Sequence, residues 1–420
     1  MNNKIDIDFG DNKQTVPLKD RKSISILLGA GFSIPMGYPS GNKMNEYLLH
    51  FDDNTHSFDA NSGKLTTTTD HSKTNFNNTR VGDRKYFDLC LRLIKKYEET
   101  HNGNFDYEHF YDFIKGDEIK EEQYKSLFDK LVDERNTYGD CIYHVSDIYN
   151  QMIACLMKDK DKESWYDNEP TRVDYYDEKY DTFIKYLSDL SKEYIVNVHT
   201  LNHDLLFESF KISTLIDNGD VSDGFEELGS KYYGILCHEN RTYHCRLERY
   251  TGKYDTPIRL YKLHGSLDYV HFYRRNGHIM ELDNYIKIKH GIGYDKIMKE
   301  NDEGTSYEED PFETHADFLT GTTAKIKRYG EPFFKNLSGK FEENLKNAEK
   351  LIIIGYGCKD QGINDMIKNN FNREKPSFII DPNPQELVNA FSECIGSKIL
   401  KFGIDNLDIN SLKSQDNENK

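Results

Sequence analysis

Four short segments of this chain hold the residue types that could do chemistry. They are Leu27-Leu28-Gly29-Ala30-Gly31-Phe32-Ser33, Thr200-Leu201-Asn202-His203-Asp204, Leu263-His264-Gly265-Ser266, and Ile354-Gly355-Tyr356-Gly357 with Asp381-Pro382-Asn383-Pro384. Each follows an apolar, β-branched run, so each is a turn at the end of a strand, where open parallel sheets bind ligands. His264 ends such a run and titrates near neutral pH, which suits a general base, and Gly265 permits a sharp turn behind it. The chain has 15 His, and His199, His203 and His271 read as structural. Gly29 and Gly31 allow a tight turn and a close approach of backbone N–H groups to a phosphate, with Ala30 between them and Ser33 adding a hydroxyl donor. The same glycines also suit a plain connection from strand to helix. Asn202 either caps a helix starting near Asp204 or faces a ligand, and the two roles are compatible if Asp204 makes the cap. Gly355, Tyr356 and Gly357 let backbone approach a ligand, and Asn383 is either a ligand contact or ordinary turn chemistry.

The elements that must position these residues follow from periodicity. Ser23–Leu28 reads as a buried first strand, and Ser40 as the N-cap of the helix after the glycine turn. Further strands are expected at 194–198, 258–263, 351–354, 377–380 and 398–402, with helices at 361–371 and 385–391 between the last of them. Hairpins are expected at 235–247 and at 267–282, the second around Asn276-Gly277. From 83 to 191 the apolar spacing is helical almost throughout, as at Phe87, Leu91, Ile94 and Tyr97, with a charged linker around 159–170. Residues 52–80 read as a mobile loop rich in Asn, Thr and Ser, 284–330 show no strong period, and the tail after Leu412 reads as disordered.

Composition narrows the function classes. The chain has 420 residues and a formal net charge of -17, which repels a phosphate backbone, so direct nucleic-acid binding by this chain is not expected. No apolar run approaches the ~18 residues that span a bilayer, and the first residues lack an apolar signal core, so no membrane partner and a cytoplasmic location are expected. Seven Cys without pattern agree with a reducing compartment. A dehydrogenase fingerprint would want a third Gly where Ile34 stands, then a second strand and an acid ~20 residues on.

The order and chemistry of the four segments resemble the sirtuin (SIR2-like) family, which cleaves the nicotinamide–ribose bond of NAD. Leu263-His264-Gly265-Ser266 matches the family's catalytic His segment at all four residues, Thr200-Leu201-Asn202-His203-Asp204 its Asn-containing turn, and Gly37-Tyr38-Pro39-Ser40 the Gly and Pro after its glycine turn. The resemblance covers about 20–60, 190–275 and 345–405. It implies an α/β fold, a Rossmann-like parallel sheet with a large helical insertion and small β-hairpins. Residues 1–82 would begin the NAD-binding domain, 83–191 form the helical insertion, 192–410 complete the domain and 411–420 form the tail. It implies Asn202 and His264 as catalytic residues, and Gly29, Ala30, Gly31, Ser33, Asp204, Gly265, Ser266, Gly355, Tyr356 and Asn383 as NAD-binding residues. Two departures stand out. The Arg that many deacylase sirtuins carry after the Pro is missing, Lys43 being the nearest basic residue. No Cys-x-x-Cys pair supplies a zinc module, since Cys237 and Cys245 lie eight apart and Cys90, Cys141 and Cys155 read as core. The pattern is most similar to the SIR2-like domains of prokaryotic antiviral systems. It implies an NAD hydrolase with NAD as substrate and no metal, a homo-oligomer, and a partner protein encoded nearby such as a helicase, nuclease or sensor. The alternatives are a deacylase or ADP-ribosyltransferase, and a non-catalytic NAD- or ADP-ribose-binding sensor or assembly subunit.

Overall fold

The computed structural model describes residues 16–51, 56–59, 64–67, 81–157, 178–216, 218–238, 241–289, 292, 297–309 and 316–413. Seven strands form the main sheet: β1 (Ser23–Leu28), β2 (Ile195–Thr200), β3 (Val221–Ser222), β4 (Ile258–Lys262), β5 (Ala348–Ile354), β6 (Ser377–Ile380) and β7 (Lys398–Leu400). Their spatial order is β7-β6-β5-β1-β2-β4-β3, and every pairing is parallel. The near-continuous apolar runs of β1, β5 and β6 are what a sheet covered on both faces requires. On one face, Ile24, Ile26, Val196, Val198 and Ile352 pack with Phe183, Ile184 and Leu187 of helix Asp181–Ser191. On the other, Leu27, Leu351 and Ile353 pack with Phe334, Leu337 and Phe341 of helix Pro332–Asn347 and Ile363 of helix Gln361–Asn370. Each such side chain removed from water contributes about 1.5–3 kcal/mol.

Register decides where the site lies. Leu28 stands opposite both Ile354 and Thr200, Lys262 opposite Thr200, and Ile380 opposite Ile354. Five strands therefore end in one row, and their turns line one edge. Chain order reverses between β1 and β5, so the first turn and the β5 turn flank the topological switch point.

The remaining elements differ from the expectation in detail. Helices Val81–Thr100, Tyr107–Lys115 and Tyr138–Leu156 share a core with the antiparallel strands, through Leu93, Phe110, Val145, Val270, Phe272 and Phe318. Helix Asp181–Ser191, within the same helical stretch of sequence, packs on the main sheet instead. The hairpins pair as Tyr232–His238 with Arg241–Arg246 and Tyr269–Asn276 with Ile279–Lys287, with Gly277 at φ 63°. The stretch 284–330, aperiodic in sequence, supplies strands Ile297–Glu300 and Tyr307–Glu309 and helix Thr323–Arg328. Within 52–80, read as a loop, His56–Asp59 pairs with Lys64–Thr67. The rest of that loop, the linker around 159–170 and the tail from 414 lie outside the described residues. No helix among the described residues is long and apolar enough to cross a membrane.

The turns after β1 and β5 touch backbone to backbone. Gly355 has φ 62°, and a Cβ there would lie 2.4 Å from the Phe32 nitrogen. Gly355→Ala is expected to lower unfolding stability by about 2–4 kcal/mol, from the left-handed backbone and the overlap together. Gly339→Ala, on an exposed face of helix Pro332–Asn347 with nothing near its Cβ position, is expected to raise it by about 0.5–1 kcal/mol. Urea unfolding of both variants measures the contrast. Equal effects would remove the close backbone approach at Gly355 as the reason for this residue.

Candidate active site

The first turn is built against its neighbour across the switch point. Gly29 N–H donates to Ile354 O at 2.9 Å and Gly31 N–H to Gly355 O at 2.8 Å. A Cβ on Gly29 would come 2.7 Å from Gly355 O, and one on Gly31 2.7 Å from Gly355 Cα. Phe32 N–H and Ser33 N–H close the turn on Gly29 O and Ala30 O, at 2.9 and 3.0 Å. The glycines are thus required by the β5 turn, and the amides expected to cradle a phosphate are spent within the protein. Among residues 29–33 only the N–H of exposed Ala30 has no hydrogen-bond partner among the described residues. Ser40 caps helix Gly41–Leu49 as expected, accepting from Lys43 N–H at 3.3 Å.

Asn202 bolts the β2 turn to the β1 turn. Its Nδ2 donates to Gly29 O and to Ser33 Oγ, each at 3.0 Å. That commits the amide nitrogen and leaves Oδ1 as the acceptor for a ligand or water. Asn202 does not cap the following helix. Asp204 does the local work instead, accepting from Leu206 N–H at 3.1 Å. Burial raises the Asp204 pKa, opposed by the Lys262 charge and the Ser33 hydroxyl. Lys262 is itself buried, donating to Asp204 O and to Glu208 Oε1 at 3.1 Å. The last residue of β4 thereby holds the β2 turn in place.

His264 is buried at the start of the β4 turn. Its Nε2 lies 2.8 Å from Tyr329 Oη and 3.3 Å from Asp360 Oδ2. Asp360 also caps helix Gln361–Asn370, accepting from Ile363 N–H through Oδ1 at 3.1 Å, so one carboxylate ties the β5 turn to the imidazole. An Nε2–H facing a carboxylate favours the tautomer whose lone pair is on Nδ1. No protein group among the described residues bonds Nδ1. Burial and the Lys325 ammonium lower the His264 pKa, with Asp360 opposing. Although burial pushes the other way, the His264 hydrogen bond, His264 and Lys325 hold Asp360 well below the ordinary carboxylate range. Burial, with the Asp360 charge beside it, holds Tyr329 protonated. His203 is buried against Phe318, its ring centroid 6.2 Å from that of His264.

The other expected residues fall into two groups. Asn383 is exposed at the end of β6, in the same row of turns, with Asp381 Oδ1 accepting from its N–H at 2.8 Å. Gly265, Ser266 and Tyr356 serve packing. Gly265 has φ 81° and a Cβ there would meet Asp317 O at 2.4 Å. The buried Ser266 hydroxyl donates to Asp268 Oδ1 at 2.5 Å. The buried Tyr356 ring turns inward, its hydroxyl meeting Asp360 O at 3.0 Å and Asn364 Oδ1 at 2.9 Å. These two side chains are committed within the protein, which leaves only their backbone to a ligand. Asp360, Tyr329 and Lys325 were not singled out in the sequence. Asp360 carries an N-cap signal before an apolar-periodic helix, while Tyr329 and Lys325 lie in the aperiodic stretch. Among the described residues no cluster of three His, Cys, Asp or Glu side chains is arranged to hold a metal ion.

No family model and no curated protein matches the chain in sequence. Among solved structures the chain is similar to a Sir2 homologue–NAD complex, with TM-score 0.36 and 11% identity over 94% of this chain and 92% of that one. It is also similar to a structure described under the mechanism and regulation of Sir2 enzymes, with TM-score 0.33 and 11% identity over 93% and 90%. A third is a Sir2 homologue mutant–ADP ribose complex, with TM-score 0.32 and 10% identity over 92% and 95%. Likeness at this level assigns no activity to the chain.

The buried imidazoles make stability pH-dependent. His199, on β2, stacks on Tyr261 and packs on Phe341, and burial pushes its pKa down to about 3. Unfolding returns it to about 6.5, so between these values the unfolded chain binds more protons and stability falls as pH drops. The slope from this residue is about 1.4 kcal/mol per pH unit below about pH 6.5. His199→Phe is expected to flatten the loss of stability between pH 6 and 5 by about that amount, read by urea unfolding. Parallel slopes for variant and wild type would contradict a neutral folded His199.

Proposed function

We propose that this chain is an NAD hydrolase that cleaves the nicotinamide–ribose bond to give ADP-ribose and nicotinamide. The observation that carries the reading is the His264 imidazole, backed on Nε2 by Asp360 and Tyr329, with Nδ1 unclaimed among the described residues. It lies in the turn next to the one holding Asn202, which is bolted to the switch-point glycine turn. The motif order that resembles sirtuins supports the choice of NAD.

The chemistry follows from the side chains. The C1′–N bond breaks with its electron pair going to the nicotinamide ring, leaving an oxocarbenium-like centre of the kind met in other glycosyl cleavages. Asn202 Oδ1 accepts a hydrogen bond from water or a ribose hydroxyl and so places it. Water adds to C1′, and His264 Nδ1 takes the proton and returns it to solvent. Asp360 keeps the imidazole in the tautomer that makes Nδ1 the base, and stabilises the imidazolium once formed. The Ala30 N–H meets the pyrophosphate, with the adenosine half over Gly355–Gly357 towards Asn383.

The reading extends to antiviral defence by NAD depletion, as a homo-oligomer working with a partner protein, supported by the same motif resemblance. Its check is the cellular NAD level after phage challenge, expected to fall with the wild-type gene and not with the His264→Ala gene.

In vitro, NAD consumption and products are measured with the protein alone and with extract of phage-infected cells added. Nicotinamide and ADP-ribose are expected in equal amounts. Asn202→Ala and His264→Ala are expected to lose about 10²–10⁴-fold in rate while remaining folded. His278→Ala, exposed in the hairpin turn, stays at wild-type rate. Product formation only with an acyl-lysine peptide or a protein acceptor would reassign the chain to a deacylase or ADP-ribosyltransferase. Binding of NAD without product would make it a sensor. A folded His264→Ala protein at wild-type rate would overturn the mechanism.

A further inference from the structure

Helix Tyr107–Lys115 belongs to the core shared by the helical segment and the antiparallel strands, yet it reaches the segment facing His264 at two points. Glu108 Oε1 lies 2.5 Å from Lys325 Nζ, with the lysine buried and the glutamate largely so. One turn on, Asp112 caps helix Thr323–Arg328 from outside it. Its Oδ2 accepts from Thr322 N–H and Thr323 N–H, each at 2.9 Å, and its Oδ1 from Ala324 N–H at 2.9 Å. Both threonine hydroxyls donate to the same carboxylate. A Cβ on Gly321 would meet Asp112 Oδ1 at 2.5 Å, so this glycine lets the two segments close. The capped helix carries Lys325 and leads directly into Tyr329.

The charges then alternate in a line. Lys325 Nζ stands 2.5 Å from Glu108 Oε1 and 4.0 Å from Asp360 Oδ2, and that Oδ2 stands 3.3 Å from His264 Nε2. A buried ammonium needs a carboxylate partner. With Glu108 ionised, Lys325 has one that is not Asp360. Without that charge, the carboxylate within reach is Asp360, and an ammonium drawn onto it competes with the imidazole.

We infer that Glu108, contributed by the helical segment, is a positioning residue for His264: it holds Lys325 off Asp360 so that Asp360 stays with the imidazole. The site is therefore complete only when helix Tyr107–Lys115 is docked, which ties activity to the seating of that segment. The inference rests on the reading of His264 as the base. The groups facing His264 are Tyr329 and Lys325 from the capped segment, Asp360 from the β5 turn, His203 from the β2 turn and, through Lys325, Glu108.

The test is the titration of His264 in the full chain labelled with ¹⁵N-histidine, its signal assigned by loss in His264→Gln. NAD turnover is measured in parallel. In Glu108→Gln the imidazole faces an uncompensated ammonium, and its proton affinity is expected to fall about three- to tenfold. The kcat falls with it while KM for NAD stays, because Glu108 does not touch the substrate. Glu108→Gln/Lys325→Met removes the ammonium as well and is expected to bring the proton affinity of His264 back to the wild-type level or above it, with most of the rate. It also keeps the test open if the single variant unfolds, since a folded double variant whose imidazole binds a proton more weakly than in wild type overturns the inference. A folded Glu108→Gln protein with the wild-type titration overturns it as well. Absence of turnover in wild type would defeat the NAD reading alone, because the titration still reports the coupling.

Discussion

The backbone contact between the turns after β1 and β5 is the constraint on which the site depends. Two parallel strands side by side at the switch point send their chains off in opposite directions, and their turns must pass within van der Waals distance. Gly29, Gly31 and Gly355 make that passage possible, and the hydrogen bonds from Gly29 and Gly31 to Ile354 O and Gly355 O lock it. Everything on the sheet edge is then referenced to this lock. Asn202 is attached to Gly29 O and Ser33 Oγ. Asp360 leaves the β5 turn at a height that brings it to His264.

Buried charge is the second organising feature. Taking an ion out of water costs several kcal/mol unless a partner and hydrogen bonds offset it. Here Lys262 is paired with Glu208, Lys287 with Asp223 and Lys325 with Glu108, each from a distant part of the chain, while Asp317 meets His271 and, within its own segment, Arg328. In each pair, removing one partner would strand the other. The arrangement specifies how the aperiodic segment 316–331 lies against the site. Arg328 holds Asp317 at one end, Asp112 caps its helix, and Tyr329 is delivered to the imidazole.

The turn residues also show why one residue type serves two masters. Gly265 looks like a device for turning a catalytic strand end, and its φ of 81° agrees, but what its missing Cβ admits is the chain at Asp317 and Phe318. Cys358, at φ 58°, holds an uncommon backbone conformation in the β5 turn with its thiol buried. Such conformations persist where surrounding structure over-determines them, and here Asn364 pins the loop through Cys358 O at 2.8 Å.

The main sheet was legible in the sequence because its strands are short apolar runs bounded by Gly, Asn and Pro, and burial on two faces leaves no other reading. Ser23–Leu28 and Ser377–Ile380 were placed to the residue, whereas Val221–Ser222, two residues at a sheet edge, has no pattern to read. The convergence of the four chemistry-bearing turns was also legible, since parallel strands in one sheet present their turns at one edge. The positions of Asn202 and His264 follow from that rule. What the glycines touch, which oxygen of Asp360 faces His264, and that Glu108 answers Lys325 from 217 residues away were not legible. Local sequence carries backbone propensity and burial period, and a side chain's partner across the fold alters neither. Those pairings were decided only when the helical segment, the aperiodic segment and the sheet edge came together, because a buried charge is satisfied by whatever stands beside it in space.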